Sequence, residues 1–151
     1  MLRKRIPIGF SLGLAALSIV TGLLVVACGG DDDASSAGNA VVHVTLDDLF
    51  HMKPSNTSAP AGKVSFVVVN RGKDVHELVV LKTDTAAGAL KVDSTTNKVD
   101  EATAGENVGE AEVEPGVTGA ATFDLAPGRY ALICNKPSHY KQGMFAAFNV
   151  K

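Results

Sequence analysis

Arg129-Tyr130-Ala131-Leu132-Ile133-Cys134-Asn135-Lys136-Pro137-Ser138-His139-Tyr140-Lys141-Gln142-Gly143-Met144 is the stretch whose reading decides the fold and the chemistry. Its first six residues alternate, so that Tyr130, Leu132 and Cys134 share one face of a strand. The pleat that buries Tyr130 also turns the Cys134 sulfur inward. Met144 to Val150 (MFAAFNV) is a second apolar run and the last strand. A loop pinned between two strand ends therefore carries His139. Thiol, imidazole and thioether fall within eleven residues, with four residues between Cys134 and His139 and four between His139 and Met144. Soft sulfur with imidazole suits copper, and a His₂Cys site with a long, weak axial Met is the electron-transfer copper arrangement. This stretch holds three such ligands, and another part of the chain must supply one His.

Working backwards, Ala126-Pro-Gly128 is a turn and Thr118 to Leu125 a strand. Asn70-Arg-Gly-Lys-Asp74 is a turn between Lys63 to Asn70 (KVSFVVVN) and the run Val75 to Lys82. His76 thus opens a strand directly after a turn, a position suited to the rim of a sandwich. In Val41 to Asp47 the apolar Val42, Val44 and Leu46 alternate with His43, Thr45 and Asp47, which places His43 on the polar face. Asp48 to Gly62 reads as a loop with two prolines, in which His51 and Met52 cover the edge of the core. That leaves His76 as the fourth ligand, with His139 and Cys134 completing the equatorial set and Met144 the axial one.

Thr83 to Pro115 is rich in Asp and Glu and poor in large apolar residues. It reads as a long solvated insertion, with one possible helical turn at Ala86 to Leu90, and a loop of that length is often functional or mobile. Short strands separated by turn signals, with almost no helix, predict an all-β Greek-key β-sandwich carrying a long acidic insertion.

The chain has 151 residues, of which 46% are hydrophobic, and a formal charge of -2. Removing residues 1–27, which hold Arg3, Lys4 and Arg5 and no acid, takes that charge to -5. This acidity argues against nucleic acid as a partner. Residues 1–27 pair a basic start with a long apolar run, the pattern of an export signal. The run ends Val25-Val26-Ala27-Cys28, which resembles the bacterial lipoprotein cleavage box and implies lipid on Cys28. An uncleaved anchor of similar length and an ordinary cleavage with Cys28 incidental are the alternative readings. Residues 28–40 read as a lipidated Cys with a flexible tether of small polar residues, with a reach of roughly 20 Å. Residues 41–151 form the metal-binding domain. With Cys28 spent on lipid, Cys134 is a solitary thiol in an exported protein, and metal ligation supplies its reason.

Asn70-x-Gly72-x-x-x-His76 together with Pro127-Gly-x-Tyr130-x-Leu-x-Cys134-x-x-Pro-x-His139-x-x-x-Gly-Met144 resembles the cupredoxin family, the plastocyanin- and azurin-like blue copper proteins. The ligand spacing is similar to that of rusticyanin and auracyanin. The resemblance covers Val41 to Lys151 and implies one type 1 copper ion, cycling between Cu(I) and Cu(II), with electrons leaving by the His139 edge. Many members have Gly before the second His, where this chain has Ser138. Many have Asn after the first His to tie the ligand loops, where this chain has Glu77.

The expectation is a monomeric electron carrier, not an enzyme, that serves redox partner proteins outside the cytoplasm and is held to the bacterial membrane through Cys28. The alternative is an extracytoplasmic copper-delivery protein with the same ligands. A Cys/His nucleophilic enzyme would leave Met144 idle, and structural zinc does not call for a thioether.

Overall fold

The structure, a computed structural model, describes residues 39–151. The signal sequence, Cys28 and nearly all of the tether lie outside the described residues. Among those described, the strands are β1 (Ala40–Leu46), β2 (Met52–Pro54), β3 (Ser58–Ala59), β4 (Gly62–Asn70), β5 (His76–Lys82), β6 (Glu106–Val113), β7 (Thr118–Leu125), β8 (Gly128–Ile133) and β9 (Phe145–Val150). The helical pieces are α1 (Glu101–Ala104) and a 3₁₀ turn over Tyr140–Gln142.

Two sheets form. One has the order β2-β1-β4-β7 and the other β3-β9-β8-β5-β6. The β1 alternation holds: Val42, Val44 and Leu46 are buried while His43 faces solvent. Val64, Phe66 and Val68 of β4 bury beside them because β4 runs parallel to β1 with Val42 opposite Phe66. The facing sheet contributes Leu78, Val80, Tyr130, Leu132, Cys134 and Phe148 to the same core. The rings of Phe66 and Phe148 meet edge-on, with centroids 5.5 Å apart, across the gap. Each is fully buried, a contribution of roughly 1.5–3 kcal/mol per ring. The Tyr130 hydroxyl donates to the Ala126 carbonyl (2.8 Å), which fixes the turn that launches β8.

β5 and β8 are buried on both faces, which explains their unbroken apolar runs. Their second faces (Val79, Leu81, Ala131, Ile133) are covered by Ala87, Leu90, Val99, Ala104 and Tyr140. The covering residues come mostly from the segment read as a solvated insertion, and here that reading is corrected. Residues 83–105 pack as a flap over β5 and β8, and residues 106–113 form β6, antiparallel to β5 at the sheet edge. Most of the segment's acidic residues are exposed, while Glu101 is half-buried and accepts from the Asn135 Nδ2 (2.6 Å). Glu106, Gly109, Glu110, Ala111 and Glu112 are weak strand formers, so the pairing with β5 decides the conformation instead of local preference. At Gly109 (φ 155°) a Cβ would stand 2.3 Å from the Phe123 ring, so the close approach of β6 to β7 requires glycine there. Ala86 to Leu90 makes a single turn closed by Ala89 N–H to the Ala86 carbonyl, and the helical turn lies at α1 instead. The Asp48 to Gly62 loop contains two short strands, and Met52 is buried at the core edge.

Candidate metal centre

The centre is built at one pole of the sandwich by the ends of β5, β8 and β9. Cys134 follows β8 directly. Its N–H donates to the Met144 carbonyl (3.0 Å), and the Met144 N–H donates to the His139 carbonyl (3.2 Å), so the loop closes on itself. The chain returns through the 3₁₀ turn and Gly143, whose φ of 105° lies in the left-handed region. Ser138 has φ 70°. That value gives the physical reason glycine suits this position and marks Ser138 as a residue held under strain.

His76 is placed by the preceding turn. Asn70 is buried, and each of its side-chain atoms is used: Nδ2 donates to the carbonyls of Asp74 and Val113 (both 2.8 Å) and Oδ1 accepts from Gly72 N–H (2.8 Å). The turn delivers His76 fully buried at the first position of β5.

Three of the four candidate ligands converge. His76 Nδ1 lies 3.3 Å from His139 Nδ1, and the Cys134 sulfur lies 3.4 Å from His139 Nδ1 and 4.0 Å from His76 Nδ1. First-row metal bonds to such ligands run about 2.0–2.3 Å. Three ligands around one ion in a trigonal His₂Cys plane therefore stand roughly 3.4–3.8 Å apart, close to what these side chains show. Met144 is fully buried in the core cluster that contains Cys134. The set fits one type 1 copper. His43 and His51 stand outside it: His43 is exposed on β1, and His51 is occupied by Asp47 (3.1 Å).

Electrostatics prepare the donors differently. Burial pushes the Cys134 thiol above its ordinary range, opposed by the Lys136 and Glu77 amides that point at the sulfur. The Glu77 N–H lies 3.5 Å from it. A metal must therefore displace the thiol proton, as thiolate ligation requires. Burial, then the neighbouring His76, holds His139 below the usual histidine value, which keeps it neutral and able to ligate. His139 is partly exposed, and the Phe50 ring stands edge-on to it at 5.1 Å.

Two contacts escape sequence reasoning. Glu77, where Asn is common, is tied to the cysteine loop by Lys136 (3.6 Å), whose ammonium also binds Glu112. An ion pair thus joins the two ligand-bearing segments. Burial is the main cause that raises the Glu77 carboxyl, with Lys136 pulling it back. Asp48 reaches the centre from the β1–β2 connection and lies 3.3 Å from His76 Nε2. Amide hydrogen bonds, first that of Lys73, hold its carboxyl below the usual range. Neither pairing leaves a local signal, since the partners lie 59 and 28 residues apart.

No protein-family model and no curated protein matches the chain. Solved structures do. Auracyanin from the photosynthetic bacterium Roseiflexus castenholzii, reduced with dithionite, superposes with TM-score 0.57 at 21% identity, covering 76% of this chain and 99% of that one. Auracyanin B gives 0.52 at 25% identity over 74% and 88%. Auracyanin A, a "blue" copper protein from the green thermophilic bacterium Chloroflexus aurantiacus, gives 0.52 at 22% over 76% and 100%. The described domain therefore has the cupredoxin fold. At its pole it carries a His-Cys-His-Met set that fits the type 1 copper for which that fold is known.

Proposed function

We propose that this chain is a blue copper protein that carries single electrons, in which His76, Cys134, His139 and Met144 would hold the ion. The observation that carries the reading is the convergence of two imidazole Nδ1 atoms and one buried thiol in a single ring of contacts. A bound copper ion would supply reversible one-electron chemistry. The chain's part is to hold its donors still and dry. Backbone hydrogen bonds lock Cys134 to Met144 and Met144 to His139. The Asn70 turn fixes His76, and the Lys136 bridge to Glu77 joins the two ligand segments. Such a frame resists the rearrangement that a change of copper valence favours. The partly exposed His139, flanked by Phe50, is the ligand through which electrons would pass to a partner.

The domain is read as working outside the cytoplasm, anchored by lipid on Cys28 after cleavage of residues 1–27 and spaced from the membrane by residues 28–40. No helix among the described residues is long and apolar enough to cross a membrane. Voltammetry of the copper-loaded chain tests the function. A reversible one-electron wave with copper retained in both states is the expected result. Release of Cu(I) to a chelator on reduction would refute the carrier and favour copper delivery.

A further inference from the structure

His76 is held at both ring nitrogens. Nδ1 faces Cys134 and His139, while Nε2 lies 3.3 Å from Asp48 Oδ1. His76 is fully buried, and the Asp48 side chain is 38% exposed. The aspartate is itself positioned. The Lys73 N–H donates to both carboxylate oxygens (3.0 and 2.8 Å), and the Asp74 N–H lies 3.4 Å from Oδ1. Gly72 makes room for the pair: a Cβ there would stand 2.1 Å from Asp48 Oδ1 and 2.9 Å from His76 Nε2. Three features thus serve one contact: the turn after β4, its glycine and the residue two places beyond β1.

We propose that Asp48 is a positioning residue for the metal centre, a carboxylate that fixes the His76 tautomer and strengthens His76 as a donor. An ionised carboxylate only accepts hydrogen bonds, so the imidazole proton must sit on Nε2. The Nδ1 lone pair is then free and aimed at the other two ligands before any metal arrives. The negative charge behind the ring favours the more highly charged Cu(II) over Cu(I). Carboxylate–histidine–metal relays of this kind orient and tune metal sites, and losing the outer partner typically costs about 10–100-fold in metal affinity. This inference rests on the copper reading above for its tuning half, and on geometry alone for its tautomer half.

The test uses the full chain in detergent with two substitutions. Asp48→Asn keeps the shape and an acceptor but removes the charge. Asp48→Ala removes both. Nitrogen-15 NMR of the metal-free protein reads the His76 tautomer, which should be Nε2-protonated in wild type and Asp48→Asn and a mixture in Asp48→Ala. With copper bound, Asp48→Asn should lower the ratio of Cu(II) to Cu(I) affinity about tenfold, a rise of ~59 mV in potential for one electron. If Asp48→Ala does not fold, Asp48→Asn still decides the tuning half. An Nδ1-protonated His76 in the metal-free wild type would overturn the proposal, as would an unchanged potential in copper-loaded Asp48→Asn. A wild-type chain that binds no copper yet keeps the Nε2 tautomer would refute the copper function while leaving the positioning role intact.

Discussion

Replacing Tyr140 with Phe tests how the flap over residues 83–105 supports the metal loop. The Tyr140 hydroxyl is buried and accepts from the Leu90 N–H (2.9 Å) while donating to the Ala87 carbonyl (2.8 Å). It therefore bolts the flap to the residue that follows His139. Phenylalanine keeps the ring and its packing on Phe145 (centroids 5.2 Å apart), so the change isolates the hydroxyl. It leaves one buried donor and one buried acceptor unmet. Each unmet group costs about 1–3 kcal/mol, giving a loss on the order of 2–6 kcal/mol. In a domain of this size, 1 kcal/mol moves the melting temperature by about 4 °C, so the variant should melt roughly 8–24 °C lower. Thermal unfolding of the metal-free chain by circular dichroism measures this directly. A loss below about 0.5 kcal/mol would refute the account of the flap as a packed, bonded part of the domain.

Other substitutions and conditions probe separate parts of the site. Ser138→Gly relieves a left-handed conformation that costs an L-residue about 1–2 kcal/mol, partly offset by the roughly 0.5–1 kcal/mol flexibility cost of glycine. The variant should be about 0.5–1 kcal/mol more stable by denaturant unfolding, and a loss of stability would contradict the strain reading. The metal-free chain should lose stability as pH falls. The folded-state value of His139 is depressed, chiefly by burial. Its contribution is therefore present above the ordinary histidine value of about 6.5 and lost as pH drops through the lower folded value. Melting curves between pH 7 and 5 should show this decline in wild type and a flatter profile in His139→Gln. Equal slopes would remove His139 as the cause.

The strands that face the common core were readable because their period is unambiguous. Val42, Val44 and Leu46 against His43, and Tyr130, Leu132 and Cys134, could each point only one way. The Cys134 to Met144 loop was readable because its three candidate ligands lie close together in sequence, and His76 followed from its place after a turn. What escaped depends on partners distant in sequence. β6 is a strand because β5 lends it a ladder, although Glu110, Ala111 and Glu112 argue locally against one. The flap is packed because Leu90 and Val99 find the outer faces of Val79 and Ile133. Neither apolar residue is part of a periodic run, so composition alone read the whole segment as solvated. Asp48 followed the last residue of an alternating strand and looked like ordinary loop chemistry. Its role exists only because the Asn70 turn brings His76 to it. Glu77 was visible as a departure from the family pattern, but its compensation by Lys136 was not.

Addition of Cu(II) to the metal-free full chain, followed by visible absorption, tests the central claim most directly. The account predicts one equivalent bound with an intense blue thiolate-to-copper charge-transfer band, and loss of that band in Cys134→Ser. A colourless wild-type complex, or a band that survives Cys134→Ser, would contradict it.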